Sequence, residues 1–144
     1  MMSFILQTGA GELFVIDGGC RGDASYLLQF LQSLRGERPV IDGWFLTHAH
    51  SDHIDAFMEI MKNSGDKITV NHLYYNFPDQ DFIFENEDEA EDRRTILEFN
   101  ALEPEFRDKA VIAKEGDRFE FPGISFEVLY AQDSSFRHNA INNS

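Results

Sequence analysis

The sequence predicts an α/β domain, a mixed sheet with helices packed on it. Three observations predict it. Short apolar runs of strand length recur along the chain and are separated by stretches with helical spacing of apolar residues. The last segment reads as a hairpin, so the order is strand, strand, helix, strand, helix, strand, helix, hairpin. The composition supports one packed domain: 144 residues, 42% hydrophobic, with 14 Phe, 4 Tyr and 1 Trp to fill an aromatic core.

Residues 3–7 and 12–16 read as two strands joined by a turn around Gly9 to Gly11. Leu13-Phe14-Val15-Ile16 is uninterrupted, as in a strand buried on both faces, and it ends abruptly at Asp17-Gly18-Gly19. Asp23 is placed to cap a helix over residues 24–35, with Leu27, Phe30, Leu31 and Leu34 on its inner face and Gly36 as its stop. Residues 40–47 form the next strand. A second helix covers 53–63, with Ile54, Phe57, Met58 and Met61 buried. Residues 67–75 form a strand. Residues 79–92 are acidic, contain no Lys or Arg, and read as a solvated loop entering a helix over 86–103. Ile96, Phe99 and Leu102 point inward there, and Pro104 ends it. Arg118 to Phe121 and residues 124–130 flank Pro122-Gly123 as a hairpin. No helix follows to cover it. The tail from 132 is polar.

The formal net charge is −14, from 26 acidic and 12 basic residues. That argues against a broad nucleic-acid-binding surface. It leaves room for a small-molecule or phosphodiester substrate, because bound metal ions supply positive charge locally. A single cysteine, Cys20, excludes an internal disulfide and a thiolate metal cluster, and is expected as a small buried thiol. No apolar run is long enough for a membrane span or a secretory leader, so a cytoplasmic location and no membrane partner are expected.

Chemistry concentrates at Thr47-His48-Ala49-His50-Ser51-Asp52-His53. Three of the five histidines of the chain fall within six residues. Imidazole and carboxylate are the ligands that zinc or iron takes when thiolate is absent. Side chains at i and i+2 share a side of an extended backbone, so His48 and His50 are candidates for one metal. Asp52 and His53 lie past a turn at a helix start and aim at a second position. Two ions about 3.5–4 Å apart hold and activate a water nucleophile. Asp52 is also the candidate catalytic carboxylate. The cluster sits where a strand ends and a helix begins, the usual site position in such sheets. A nucleophilic reading of Ser51 lacks the glycine elbow that exposes such a serine.

These residues resemble the H-x-H-x-D-H signature of the metallo-β-lactamase superfamily, and Val15-Ile16-Asp17-Gly18-Gly19 is similar to that family's first motif. Glu115-Gly116-Asp117, the hairpin and Asn142-Asn143-Ser144 resemble the branch attached to DNA-uptake competence proteins. The resemblance implies the N-terminal part of a four-layer αββα sandwich, with zinc as the cofactor and iron or manganese as alternatives. It implies that Asp17 orients the metal-binding loop without touching metal. It makes His138 a candidate further ligand, while His72, within a strand, reads as structural.

The family also uses a bridging aspartate and a later histidine. Asp133 comes too early for the bridge, and no acidic residue follows it. The expectation is therefore a single, incomplete domain over 1–144. It is either part of a hydrolase of ester or phosphodiester-type bonds, or a non-catalytic metal-binding or interaction module. Self-association through an open sheet edge is a further expectation.

Overall fold

The computed structural model describes residues 3–86 and 90–131. Among these residues nine strands and four α-helices follow in order. The strands are β1 (Phe4–Gln7), β2 (Leu13–Ile16), β3 (Val40–Ile41), β4 (Gly43–Phe45), β5 (Thr69–Val70), β6 (Leu73–Tyr75), β7 (Ala110–Ile112), β8 (Arg118–Phe121) and β9 (Ile124–Glu127). The helices are α1 (Ala24–Arg35), α2 (Ser51–Ser64), α3 (Gln80–Asn86) and α4 (Ala90–Leu102).

The main sheet has the order β1-β2-β4-β6-β7. β1 is antiparallel to β2, and every other neighbour pair is parallel. The parallel strands advance in one direction only. Right-handed crossovers along such a sheet place all the connecting helices on one face. The side chains obey this. Trp44 meets Phe57 of α2 at 4.9 Å between ring centroids, and Tyr75 meets Phe99 of α4 at 5.0 Å. Leu13, Val15, Trp44 and Leu73 are fully buried.

The alternate residues of the same strands point the other way. There the β8–β9 hairpin closes over them: Phe14 packs on Phe121 and Phe126, Phe45 on Phe126, and Tyr74 on Phe119. The layers are thus helix, sheet and hairpin. This is the mixed sheet with flanking helices that the sequence predicts. The hairpin's outward positions are Arg118, Glu120, Ser125 and Glu127, and Arg118 pairs with Glu127 at 2.9 Å. No helix among the described residues is long and apolar enough to cross a membrane.

Several details depart from expectation. The strand over 40–47 divides at Asp42, whose carboxylate accepts the backbone N–H of Leu13 at 2.9 Å. The strand over 67–75 divides likewise, giving a separate parallel pair of β3 with β5. Helix α3 and strand β7 lie in stretches expected as loop. The inner face of α1 is Ala24, Leu27, Leu28 and Leu31, while Phe30 and Leu34 are 41% and 37% exposed. The apolar stripe of α1 is wider than its contact surface, so a count of apolar positions misplaced its centre by about one residue. Asp23 does not cap α1 with its side chain; its carboxylate accepts the N–H of Cys20 at 3.0 Å in the preceding 3₁₀ turn.

Candidate metal centre

The site forms at the C-terminal ends of the parallel strands β2 and β4. Asp17 follows β2 directly, and β4 leads through Leu46 into the histidine loop. His50 occupies the N-cap position of α2 in extended conformation, and its carbonyl accepts the N–H groups of His53 and Ile54 at 3.0 and 3.1 Å. Asp52 and His53 therefore stand in the first helical turn, beside the loop that carries His48 and His50.

The Asp17-Gly18-Gly19 segment clamps this arrangement. The N–H groups of Gly18 and Gly19 both donate to the His53 carbonyl, at 2.6 and 3.1 Å, and Ala56 N–H donates to Gly19 at 3.0 Å. The loop and the helix touch backbone to backbone. A Cβ on Gly18 would lie 2.9 Å from the Phe57 nitrogen, which explains glycine there. Asp17 itself has φ 56°, in the left-handed region that aspartate tolerates better than most residues.

The Asp17 carboxylate is 4% exposed at the residue level and works as a hub. It accepts Thr47 N–H at 2.8 Å, Thr47 Oγ1–H at 2.8 Å and His53 Nδ1–H at 2.8 Å. Three donors offset the cost of burying this charge. The Thr47 hydroxyl donates its O–H to Asp17, so its oxygen is left to accept from His48 Nδ1–H, 3.0 Å away. One carboxylate thus settles two tautomers: His48 and His53 each carry the proton on Nδ1 and present an Nε2 lone pair.

Those lone pairs face the other cluster members. His48 Nε2 lies 3.2 Å from His50 Nδ1, and His53 Nε2 lies 3.9 Å from Asp52 Oδ2. The His48 and His53 rings are 3.9 Å apart between centroids. Burial first, then the neighbouring His53 and His50, push the His48 pKa down to about 4, so its imidazole is neutral at neutral pH. His53 is buried, whereas the Asp52 side chain is 55% exposed.

The donor set fits a bound cation. Two nitrogens bound to one tetrahedral zinc at about 2.0–2.1 Å stand about 3.3–3.4 Å apart. The facing His48 and His50 nitrogens are 3.2 Å apart, and the other His48 nitrogen lies 3.0 Å from Thr47 Oγ1. Among the described residues no group of three His, Cys, Asp or Glu side chains converges on one ion. His138 and Asp133 lie outside the described residues. His72 is exposed and apart from the cluster, its Nδ1 donating to the Asp42 carbonyl at 3.0 Å. Cys20 is exposed, contrary to the expected burial.

One acidic residue near the cluster was not anticipated. Asp92 Oδ2, on α4, is 3.8 Å from His50 Nε2. In sequence it is one of many carboxylates in an acidic run, and nothing there singles it out.

A one-directional sheet with its helices on one face, an aromatic-packed hairpin on the other, and H-x-H-x-D-H at the strand ends together define a class of fold. The chain belongs to the metallo-beta-lactamase superfamily, whose family description matches residues 2–133. It is 32% identical over 90 residues to a UPF0173 metal-dependent hydrolase of Thermodesulfovibrio yellowstonii, an alignment covering 58% of this chain and 33% of the relative. The structure resembles MEM-A1, a subclass B3 metallo-beta-lactamase from a soil metagenome library, with TM-score 0.51 and 13% identity over 85% of this chain and 43% of that one. BJP-1, a subclass B3 enzyme of Bradyrhizobium japonicum, aligns with TM-score 0.47 and 21% identity over 83% of this chain and 41% of that one. The chain therefore spans about a third of the curated relative's length.

Proposed function

We propose that this chain supplies metal ligands to a metal-dependent hydrolase site, with His48 and His50 at one ion and Asp52 and His53 at a second. Zinc suits the nitrogen and carboxylate donors. The observation that carries this reading is the facing pair of His48 Nε2 and His50 Nδ1, 3.2 Å apart, with the other His48 nitrogen 3.0 Å from Thr47 Oγ1. When bound, the metal would acidify a water and polarise the bond under attack, here an ester or phosphodiester type. The chain's own contribution is orientation. Asp17 fixes the rings of His48 and His53, and the Gly18–His53 backbone contacts hold the first turn of α2 against the histidine loop. Asp52, the most exposed of the ligands, is the carboxylate open to substrate or solvent. His138 is proposed as a further ligand. The curated relative's description as a metal-dependent hydrolase supports the same reaction class.

A second reading, a metal-binding module without turnover, is favoured by one observation: no three candidate donors converge on one ion among the described residues. Metal content per chain, measured with hydrolysis of a chromogenic phosphodiester, separates the two. Two metals with turnover lost in His50→Ala supports the hydrolase. One metal or none, with no turnover, rejects catalysis by this chain.

A further inference from the structure

We propose that the outer flank of α1 is a self-association surface, covered by a second copy of this chain with the two helices antiparallel. Tyr26, Phe30 and Leu34 stand at i, i+4 and i+8, so they form one stripe along the helix. They are 63%, 41% and 37% exposed. The buried side of α1 is a different set, Ala24, Leu27, Leu28 and Leu31. Packing α1 on the sheet therefore leaves the stripe in water. Scattered exposed apolar residues are ordinary, whereas contiguous ones mark contact surfaces.

Charge selects the occupant. The chain carries a formal net charge of −14, so two copies repel over most of their surfaces. Residues 24–36 are the longest run of the chain without Asp or Glu, and Arg35 is the only charged residue among them. Beside the stripe the exposed positions are Ser25, Gln29 and Ser33, all neutral. Two such acidic chains meet with least repulsion on this face, and aromatic anchors in a charge-depleted patch are the composition of an interface centre. A basic partner is drawn instead to the acidic surface elsewhere. The stripe is also its own complement. A two-fold axis at Phe30 sets Tyr26 of each copy against Leu34 of the other, the self-complementary contact of a cyclic dimer. It brings the Arg35 end of one helix to the Asp23 end of the other and opposes the two helix dipoles.

The area sets the strength. At about 200 Å² per aromatic side chain, Tyr26 and Phe30 together leave about 200 Å² uncovered. The α1 flank therefore falls well short of the roughly 800 Å² per partner of a standard interface. The dimer is weak and reversible, with a dissociation constant on the order of 10–100 µM.

Sedimentation velocity of the full chain over about 5–500 µM, a range that brackets that constant, is the test. The wild type is expected to pass from one to two chains per particle. It should do so more readily at about 1 M than at about 0.05 M NaCl, because salt screens the repulsion between acidic chains. Phe30→Glu sets two carboxylates together at the axis and is expected to raise the dissociation constant at least about 10-fold. Its thermal midpoint should stay near that of the wild type, since Phe30 lies outside the buried face of α1. Tyr26→Lys and Leu34→Glu read the register, and they decide the matter if Phe30→Glu does not fold. At low salt each alone should associate more weakly than the wild type, and a one-to-one mixture should associate more tightly than either. A wild type that remains a single chain throughout overturns the proposal. So does a dimer that Phe30→Glu leaves unchanged, the result expected of pairing through a sheet edge. A mixture no tighter than its components overturns the antiparallel register, and the proposal with it.

Discussion

Replacing Asp17 by Asn should damage stability and metal binding together. The aspartate accepts three hydrogen bonds at 2.8 Å, two of them on Oδ2. An amide keeps one acceptor oxygen. Its NH2 group must face at least one N–H or O–H that now donates to the carboxylate. Hydrogen bonds to a charged group are worth about 1.5–3 kcal/mol each, and a buried donor left unpaired costs about 1–3 kcal/mol. With the amide oxygen in the Oδ2 position two of the three bonds are retained without their charge, the third is lost with its donor left facing the NH2 group, and a loss of about 2–4 kcal/mol is expected. At about 3 °C per kcal/mol for a chain of this size, that lowers the thermal midpoint by about 6–12 °C. The opposite amide orientation harms the site. If His53 flips its proton to Nε2 to escape the amide, its lone pair no longer faces Asp52. Zinc affinity should then fall about 10–100-fold. Scanning calorimetry and chelator competition measure the two effects. A midpoint within about 1 °C of wild type with unchanged zinc affinity would refute the hub role.

Gly18→Ala brings a Cβ to 2.9 Å from the Phe57 backbone nitrogen, where no flexible side chain can yield, so α2 must move off the loop. A destabilisation of about 1–3 kcal/mol is expected, with a matching drop in urea midpoint; an unchanged midpoint would show that the close approach is not needed. The Arg21 guanidinium, followed by Arg94, holds the Glu98 carboxyl below its usual range. A depressed folded pKa gives stability that is present above the unfolded pKa and is lost as pH falls through the folded pKa. The urea midpoint of the wild type should therefore exceed that of Glu98→Gln at pH 6, and the gap should close on acidification below about pH 4.3. A gap that does not change with pH contradicts the ion pairing.

Much of this was legible in the sequence, and the reasons are local. Helix α1 ends where Gly36 takes φ 83°, and its span, Ala24–Arg35, is the predicted one. The hairpin was legible from Pro122-Gly123 and from Ile124 and Phe126 alternating with polar residues. The histidine cluster was legible because its ligand types are adjacent in the chain. What could not be read depends on tertiary contact. Asp42 divides the strand expected over 40–47 because its carboxylate finds the Leu13 N–H, 29 residues away. Strand β7 is three residues long and is defined by pairing with β6. Cys20 is exposed because the turn that Asp23 closes carries it outward from the strand end. Asp92 differs from its acidic neighbours only by the helix face that α4 turns towards α2.

The central claim is that His48 and His50 supply one nitrogen each to a single cation. Isothermal titration of zinc into the full chain, beside the His48→Ala/His50→Ala double variant, tests it most directly. The account predicts saturable binding of at least one zinc per wild-type chain, with that binding lost in a double variant that keeps its thermal midpoint. No zinc binding to the wild type, or equal binding to both proteins, would contradict it.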